Sequence, residues 1–218
     1  MPADEPGLFT IGHSNQALDD FLDLLQQHRI EAVADVRTVP RSRYVPHFSA
    51  GPLREALAGR GIAYIPMGRE LGGRPEGDEF YDEEGHVLYG QLAAAPAFRS
   101  GIDQVLAEAQ TSRVALLCSE EDPSRCHRHL LIGRVLRARG VPVSHIRRDG
   151  RVETEAELAI READAAPPSG TGPQATLFDD SPASGEDPGF GDRSAQESQW
   201  RSPRPISRRR PPPTSQPR

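Results

Sequence analysis

The chain has no lysine: all 26 of its basic residues are arginine, so a single arginine is a weak pointer to function. Its only two cysteines, Cys118 and Cys126, are too few for a disulfide framework. No apolar run approaches the roughly 18 residues of a membrane span. The opening MPADEPGLFT carries acids and a proline where an export signal has a basic end and an apolar stretch. A soluble, unexported, cytoplasmic protein that binds no membrane is expected. Hydrophobic residues make up only 36% of the 218, and mean hydropathy is -0.59. That is too polar for a chain packed throughout, so part of it lies outside any core.

Charge is unevenly spread. Residues 1–165 carry a net charge of -7 and residues 166–218 a net +1, and from Trp200 onward there are 6 arginines and no acid. An acidic body argues against broad nucleic-acid binding by the globular part, since phosphate contacts need a basic face. The arginine-rich end is left for a weak DNA contact. Residues 166–218 hold 11 of the 21 prolines with many Ser, Gly and Asp. Such a segment buries too little apolar surface to offset its ordering entropy and is expected to be disordered.

Residues 1–165 alternate short apolar runs with amphipathic stretches, the pattern of an α/β domain: a mostly parallel sheet flanked by helices in three layers. Strands are expected at Leu8–Gly12, Ala32–Val36, Ile62–Ile65, Val114–Cys118 and Val143–Ile146. Helices are expected from about Leu18 with Ser14 or Asn15 as cap, over Leu53–Arg60, Phe98–Gln110 and Arg125–Arg139, and from about Thr154. The polar stretch Gly68–Gly90 reads as an excursion over the sheet. In such sheets ligands bind beyond the carboxyl ends of the strands. There the sequence places Gly12-His13-Ser14-Asn15, Asp35-Val36-Arg37, Met67-Gly68-Arg69 and Cys118-Ser119-Glu120.

These blocks carry a resemblance. Thr10-Ile11-Gly12-His13-Ser14-Asn15, Asp35-Val36-Arg37 with Pro40 and Ser42, Leu71-Gly72-Gly73, Leu117-Cys118-Ser119-Glu120 and Cys126-His127-Arg128 together resemble the bacterial family called domain of unknown function 488. The resemblance implies an α/β fold and a site at the strand ends, and supplies no reaction.

Each constellation has two readings. Ser14 and Asn15 at a helix start offer amides to an anion, or simply cap the helix beside an incidental His13. Asp35 and Arg37, two apart on an extended segment, point the same way; they form an ion pair or hold a substrate, with Arg43 in the following loop. Cys126 beside His127 and Arg128 sits in an electropositive setting that favours a thiolate nucleophile, or is a packed helical residue like most intracellular cysteines. Metal binding by Cys118, Cys126, His127 and His13 is a third reading, but their spacing matches no standard zinc pattern, so no cofactor is predicted.

The leading expectation is an enzyme acting on a phosphate-bearing small molecule or nucleotide. Ser14, Asn15, Arg37, Arg43, Arg69, Glu120 and Arg128 would bind the ligand, and Cys126, His127, Asp35 and His13 would do the chemistry. The tail peptide Gln174-Ala175-Thr176-Leu177-Phe178 looks like those by which replication and repair proteins dock on the DNA polymerase sliding clamp. Leu177 and Phe178 would fill an apolar pocket and Gln174 bond its rim. This motivates the alternative of a non-catalytic DNA-repair accessory tethered to the clamp; a metal-dependent hydrolase is the third.

Overall fold

The structure, a computed structural model, describes residues 7–165 and 200–206. The strands are β1 (Gly7–Gly12), β2 (Ala32–Asp35), β3 (Ala63–Pro66), β4 (Arg113–Cys118), β5 (Val143–Ile146) and β6 (Val152–Thr154), in one sheet ordered β3-β2-β4-β1-β5-β6. The first five are parallel and β6 pairs antiparallel with β5. The helices are α1 (Leu18–Gln27), α2 (Ala50–Gly59), α3 (Gly68–Leu71), α4 (Tyr89–Ala94), α5 (Pro96–Glu108), α6 (Arg134–Ala138) and α7 (Glu155–Ala165). No helix among the described residues is long and apolar enough to cross a membrane.

The strand order determines which face each helix covers. From β1 to β2 to β3 the chain moves one way along the sheet, and from β3 to β4 to β5 it moves back. Right-handed crossovers running in opposite directions must lie on opposite faces. Accordingly Phe21, Leu25, Leu53 and Leu57 of α1 and α2 pack on one face with Val33, Ala115 and Leu117. Phe98, Ile102 and Val105 of α5 and Leu136 of α6 pack on the other with Ala34, Val114 and Leu116. Burial on both faces is why β4 is almost wholly apolar.

Three departures from the expected elements have physical reasons. The helix expected over Arg125–Arg139 is broken: a 3-10 turn at Pro123–Arg125, an extended Cys126, a π-helical stretch Arg128–Gly133, then α6. Five of the six π-helical residues are buried, more than the single stripe an α-helix turns inward. Helix α1 starts on Ala17, with no side-chain cap from Ser14 or Asn15. The polar stretch 68–90 also contributes core, through Leu71, Val87 and Tyr89.

The expectation that residues 166–218 add nothing to the core does not hold for Trp200–Ile206. Trp200 packs on Tyr89 at 6.1 Å and under the Arg134 guanidinium at 4.4 Å, and its Nε1–H donates to the Leu130 carbonyl at 3.0 Å. Ser202 N–H donates to the Val87 carbonyl, and Val87 N–H to Ser202 Oγ. A large aromatic in an otherwise polar tail was the signal for this strap. Trp200→Ala should therefore lower stability by about 1–3 kcal/mol, measured by denaturant titration. An unchanged midpoint would show that the strap does not hold.

Candidate functional site

Strand β4 lies between β1 and β2. Its own connection leaves over one face, and those of its two neighbours leave over the other. Diverging connections make the carboxyl end of β4 the position where open α/β sheets bind ligands. Cys118 is the last residue of that strand. The loops around it approach so closely that a Cβ on Gly12 would lie 1.8 Å from the Glu120 carbonyl oxygen.

Asp35 and Arg37 form a buried ion pair. Arg37 Nε–H and Nη2–H donate to the two oxygens of Asp35 at 2.8 and 2.6 Å, and Tyr64 O–H donates to Asp35 Oδ2 at 2.8 Å. Arg37 Nη1 donates to the Phe48 carbonyl at 2.8 Å and to His13 Nε2 at 3.1 Å. A guanidinium only donates, so His13 Nε2 accepts, and its proton sits on Nδ1, which donates to the Ser14 carbonyl at 2.7 Å. Stacked on Phe48 at 4.4 Å, His13 is held neutral: burial pushes its pKa down to about 4. Of the two readings, the structural ion pair is the one present. The partners of His13 and Asp35 leave neither positioned as an acid or base for a ligand.

Arg128 is fully buried. Its Nε–H donates to Thr10 Oγ1 at 3.1 Å, and its Nη groups donate to the carbonyls of Glu120 and Glu121. Thr10 O–H then donates to His145 Nδ1 at 2.8 Å, and His145 Nε2–H to Glu155 Oε1 at 3.1 Å. His129 and Arg137 also donate to Glu155, and the bonds from His129 and His145 hold its carboxyl down at about 2. Arg128 fixes the loop after β4 instead of facing a ligand. His129 joins this network and diverges from its neighbour His127.

His127 Nε2–H donates to the Val36 carbonyl at 3.2 Å, which leaves Nδ1 unprotonated in the neutral ring. Nδ1 lies 3.8 Å from both Cys118 Sγ and Cys126 Sγ. A Cβ on Gly73 would come within 2.7 Å of the ring, so only glycine lets this loop close over the imidazole. The Cys126 thiol donating to its sulfur, reinforced by His127 and Arg128, holds the Cys118 thiol well below its usual range. Burial and the neighbouring Cys118 push Cys126 up. These directions favour Cys118 as the more readily ionised sulfur, where the sequence had put Cys126 forward. Sequence reasoning underrated Cys118 because a cysteine ending a buried strand looks like packing.

The other predicted ligand contacts are scattered. Ser14 N–H donates to the Ser119 carbonyl, so it is not free for an anion, and the first turn of α1 carries Asp19 and Asp20. Asn15 is exposed and accepts from Arg148 at 3.4 Å. Glu120 is exposed, its carbonyl held by Arg128. Arg43 lies over the Tyr44 ring at 4.9 Å. Arg41, Arg69 and Arg74 are exposed and pair with no carboxylate among the described residues. Besides the Cys118–Cys126–His127 triangle, His129–His145–Glu155 and Asp82–Glu84–His86 cluster closely enough to hold a metal. Gln174, Leu177 and Phe178 lie outside the described residues.

Fold and site together define a three-layer α/β protein with a buried thiol–imidazole cluster at a strand end. The chain belongs to the family described as Domain of unknown function DUF488, whose family model matches residues 17–135. The blocks at Asp35, Leu71, Cys118 and Cys126 fall inside the match, and the His13 block lies just before it. No curated protein and no solved structure matches the chain.

Two stability predictions follow from the buried network. Asp35→Asn leaves Arg37 buried and uncompensated and should cost about 3–5 kcal/mol, read by denaturant titration; a cost near zero would mean the pair is solvated. Unfolding frees His13 to take up a proton between pH ~6.5 and ~4 that the folded state refuses, so stability should fall by about 3 kcal/mol as pH drops through that window. His28 and His145, also lowered by burial, act in the same sense. His13→Asn should flatten the profile, and an equally steep variant would remove His13 from the effect.

Proposed function

We propose that this protein is an enzyme acting on a phosphate-bearing or nucleotide-like ligand, with Cys118, flanked by Cys126 and His127, as its reacting centre. The observation that carries the reading is the convergence of two sulfurs and one imidazole nitrogen, Nδ1 of His127, at the end of β4 between diverging connections. His127 Nδ1 can take the proton of Cys118 Sγ–H while its Nε2–H stays on the Val36 carbonyl. The product is a thiolate beside an imidazolium, the arrangement that makes a cysteine reactive. The phosphate preference is supported by Arg41, Arg69 and Arg74. Arg41 lies in the loop after β2, Arg69 in α3 and Arg74 in the loop that follows it, whereas Arg37, Arg60, Arg147 and Arg161 are held in ion pairs.

A screen of phosphate esters and nucleotides should find a substrate that the wild type turns over. Cys118→Ser should slow that turnover by ~100-fold or more, with its melt showing that it folds. Arg69→Ala with Arg74→Ala should weaken binding about tenfold per lost contact, as for a charge-assisted hydrogen bond. Full activity in Cys118→Ser would remove this cysteine as the centre. Unchanged affinity in the arginine variant would remove the phosphate reading.

A further inference from the structure

We propose that Cys118, Cys126 and His127 form a three-ligand site for a soft divalent cation of the zinc class, with a fourth position open to a ligand. This deepens the proposed function, because it rests on the triangle being the working centre: a bound ion would take the place of the proton on His127 Nδ1 and hold Cys118 as thiolate. The spacing in sequence gave no zinc pattern; the folded chain supplies the geometry instead. Both sulfurs lie 3.8 Å from His127 Nδ1, and all three donor atoms fall within 4.8 Å of one another. A tetrahedral ion with metal–sulfur bonds of about 2.3 Å and a metal–nitrogen bond of about 2.0–2.1 Å needs sulfur–nitrogen separations of roughly 3.5–3.6 Å. Each sulfur–nitrogen separation would contract by only a few tenths of an ångström to meet that.

Three further features support the assignment. His127 donates its Nε2–H to a backbone carbonyl, the arrangement that orients a metal-bound imidazole and fixes its tautomer. Gly73 packs against the ring and keeps it from swinging away. The donor set is two thiolates and an imidazole with no carboxylate, which selects zinc and similar soft ions over magnesium or calcium. A structural zinc takes four protein ligands; three leave room for water or a ligand oxygen, as in catalytic sites. Binding deprotonates whichever thiols are still protonated, so loading releases at most two protons per ion and weakens as pH falls.

The other two clusters do not compete. In His129–His145–Glu155 each imidazole already donates a hydrogen bond to the carboxylate, which also accepts from Arg137. In Asp82–Glu84–His86 the carboxylates pair with Arg201.

The test uses the full chain, reduced and stripped with a chelator, then titrated with cobalt(II) and, separately, with zinc against a chromophoric chelator. We expect one equivalent per chain, a sulfur-to-cobalt charge-transfer band and the intense visible bands of tetrahedral cobalt. Cys118→Ser and Cys126→Ser should each weaken zinc at least 100-fold, in keeping with loss of a direct ligand where outer partners alone cost about 10–100-fold. His129→Gln should leave cobalt binding unchanged. The wild-type spectrum stands without any variant, should a substitution disturb folding. Absence of the charge-transfer band, or stoichiometric binding that survives both cysteine substitutions, overturns the site. If no ion binds while Cys118→Ser still abolishes turnover, the metal inference fails and the thiol centre stands. If the triangle binds the ion and Cys118→Ser keeps full turnover, the proposed function fails and the metal site stands.

Discussion

The carboxyl end of this sheet is governed by where two buried guanidinium groups direct their protons. Arg37 and Arg128 are nearly or wholly excluded from water, and a guanidinium can only donate. Each N–H left without an acceptor would cost the chain its desolvation free energy. Arg37 is satisfied by Asp35, the Phe48 carbonyl and His13; Arg128 by Thr10 and two carbonyls of the loop after β4. The first arrangement adds to the burial that keeps His13 neutral and ties the end of β1 to the loop after β2. The second draws the loop after β4 against β1 and, through Thr10, His145 and Glu155, ties in β5 and α7.

The groups left over are the two thiols and His127. Because Arg128 follows His127 directly, the same buried anchor that fixes the loop also positions the imidazole, and Val36 and Gly73 fix its orientation from the other side. Positive charge from Arg128 reaches Cys118, so a structural residue supports the charge of a chemical one. The strap extends this arrangement outward: Trp200 packs on Tyr89, whose hydroxyl is pushed up by burial and by the two cysteines beside it. The tail residues described here thus touch an element bordering the thiols, while the body keeps one continuous sheet.

Much of the fold was legible because burial on both faces leaves a plain signature. Val114–Cys118 reads as a buried central strand and is one, and polar residues gather at the same end of the strands as the cysteines. What the sequence could not show was which way each side chain is bonded. His13, Asp35, Arg37 and Arg128 have the residue types of an active site, yet three of them satisfy one another and the fourth satisfies backbone carbonyls. That depends on loop approaches set by Gly12 and Gly73, which involve partners far away in the chain. The π-helical stretch was missed for a related reason. Its buried residues run almost continuously, and no helical period marks them. Strand β6 has three residues, too short to show alternation.

The central claim is that backbone and guanidinium partners lock the two imidazoles at the strand ends in opposite tautomers, one engaged with Arg37 and the other presenting Nδ1 to the sulfurs. Heteronuclear NMR of the ring nitrogens at neutral pH, assigned with His13→Asn and His127→Asn, tests this directly. The account predicts a neutral His13 with its proton on Nδ1, and a His127 ring whose Nε2 carries a proton. A His127 ring protonated on Nδ1 alone, or both rings averaging between tautomers, would contradict it.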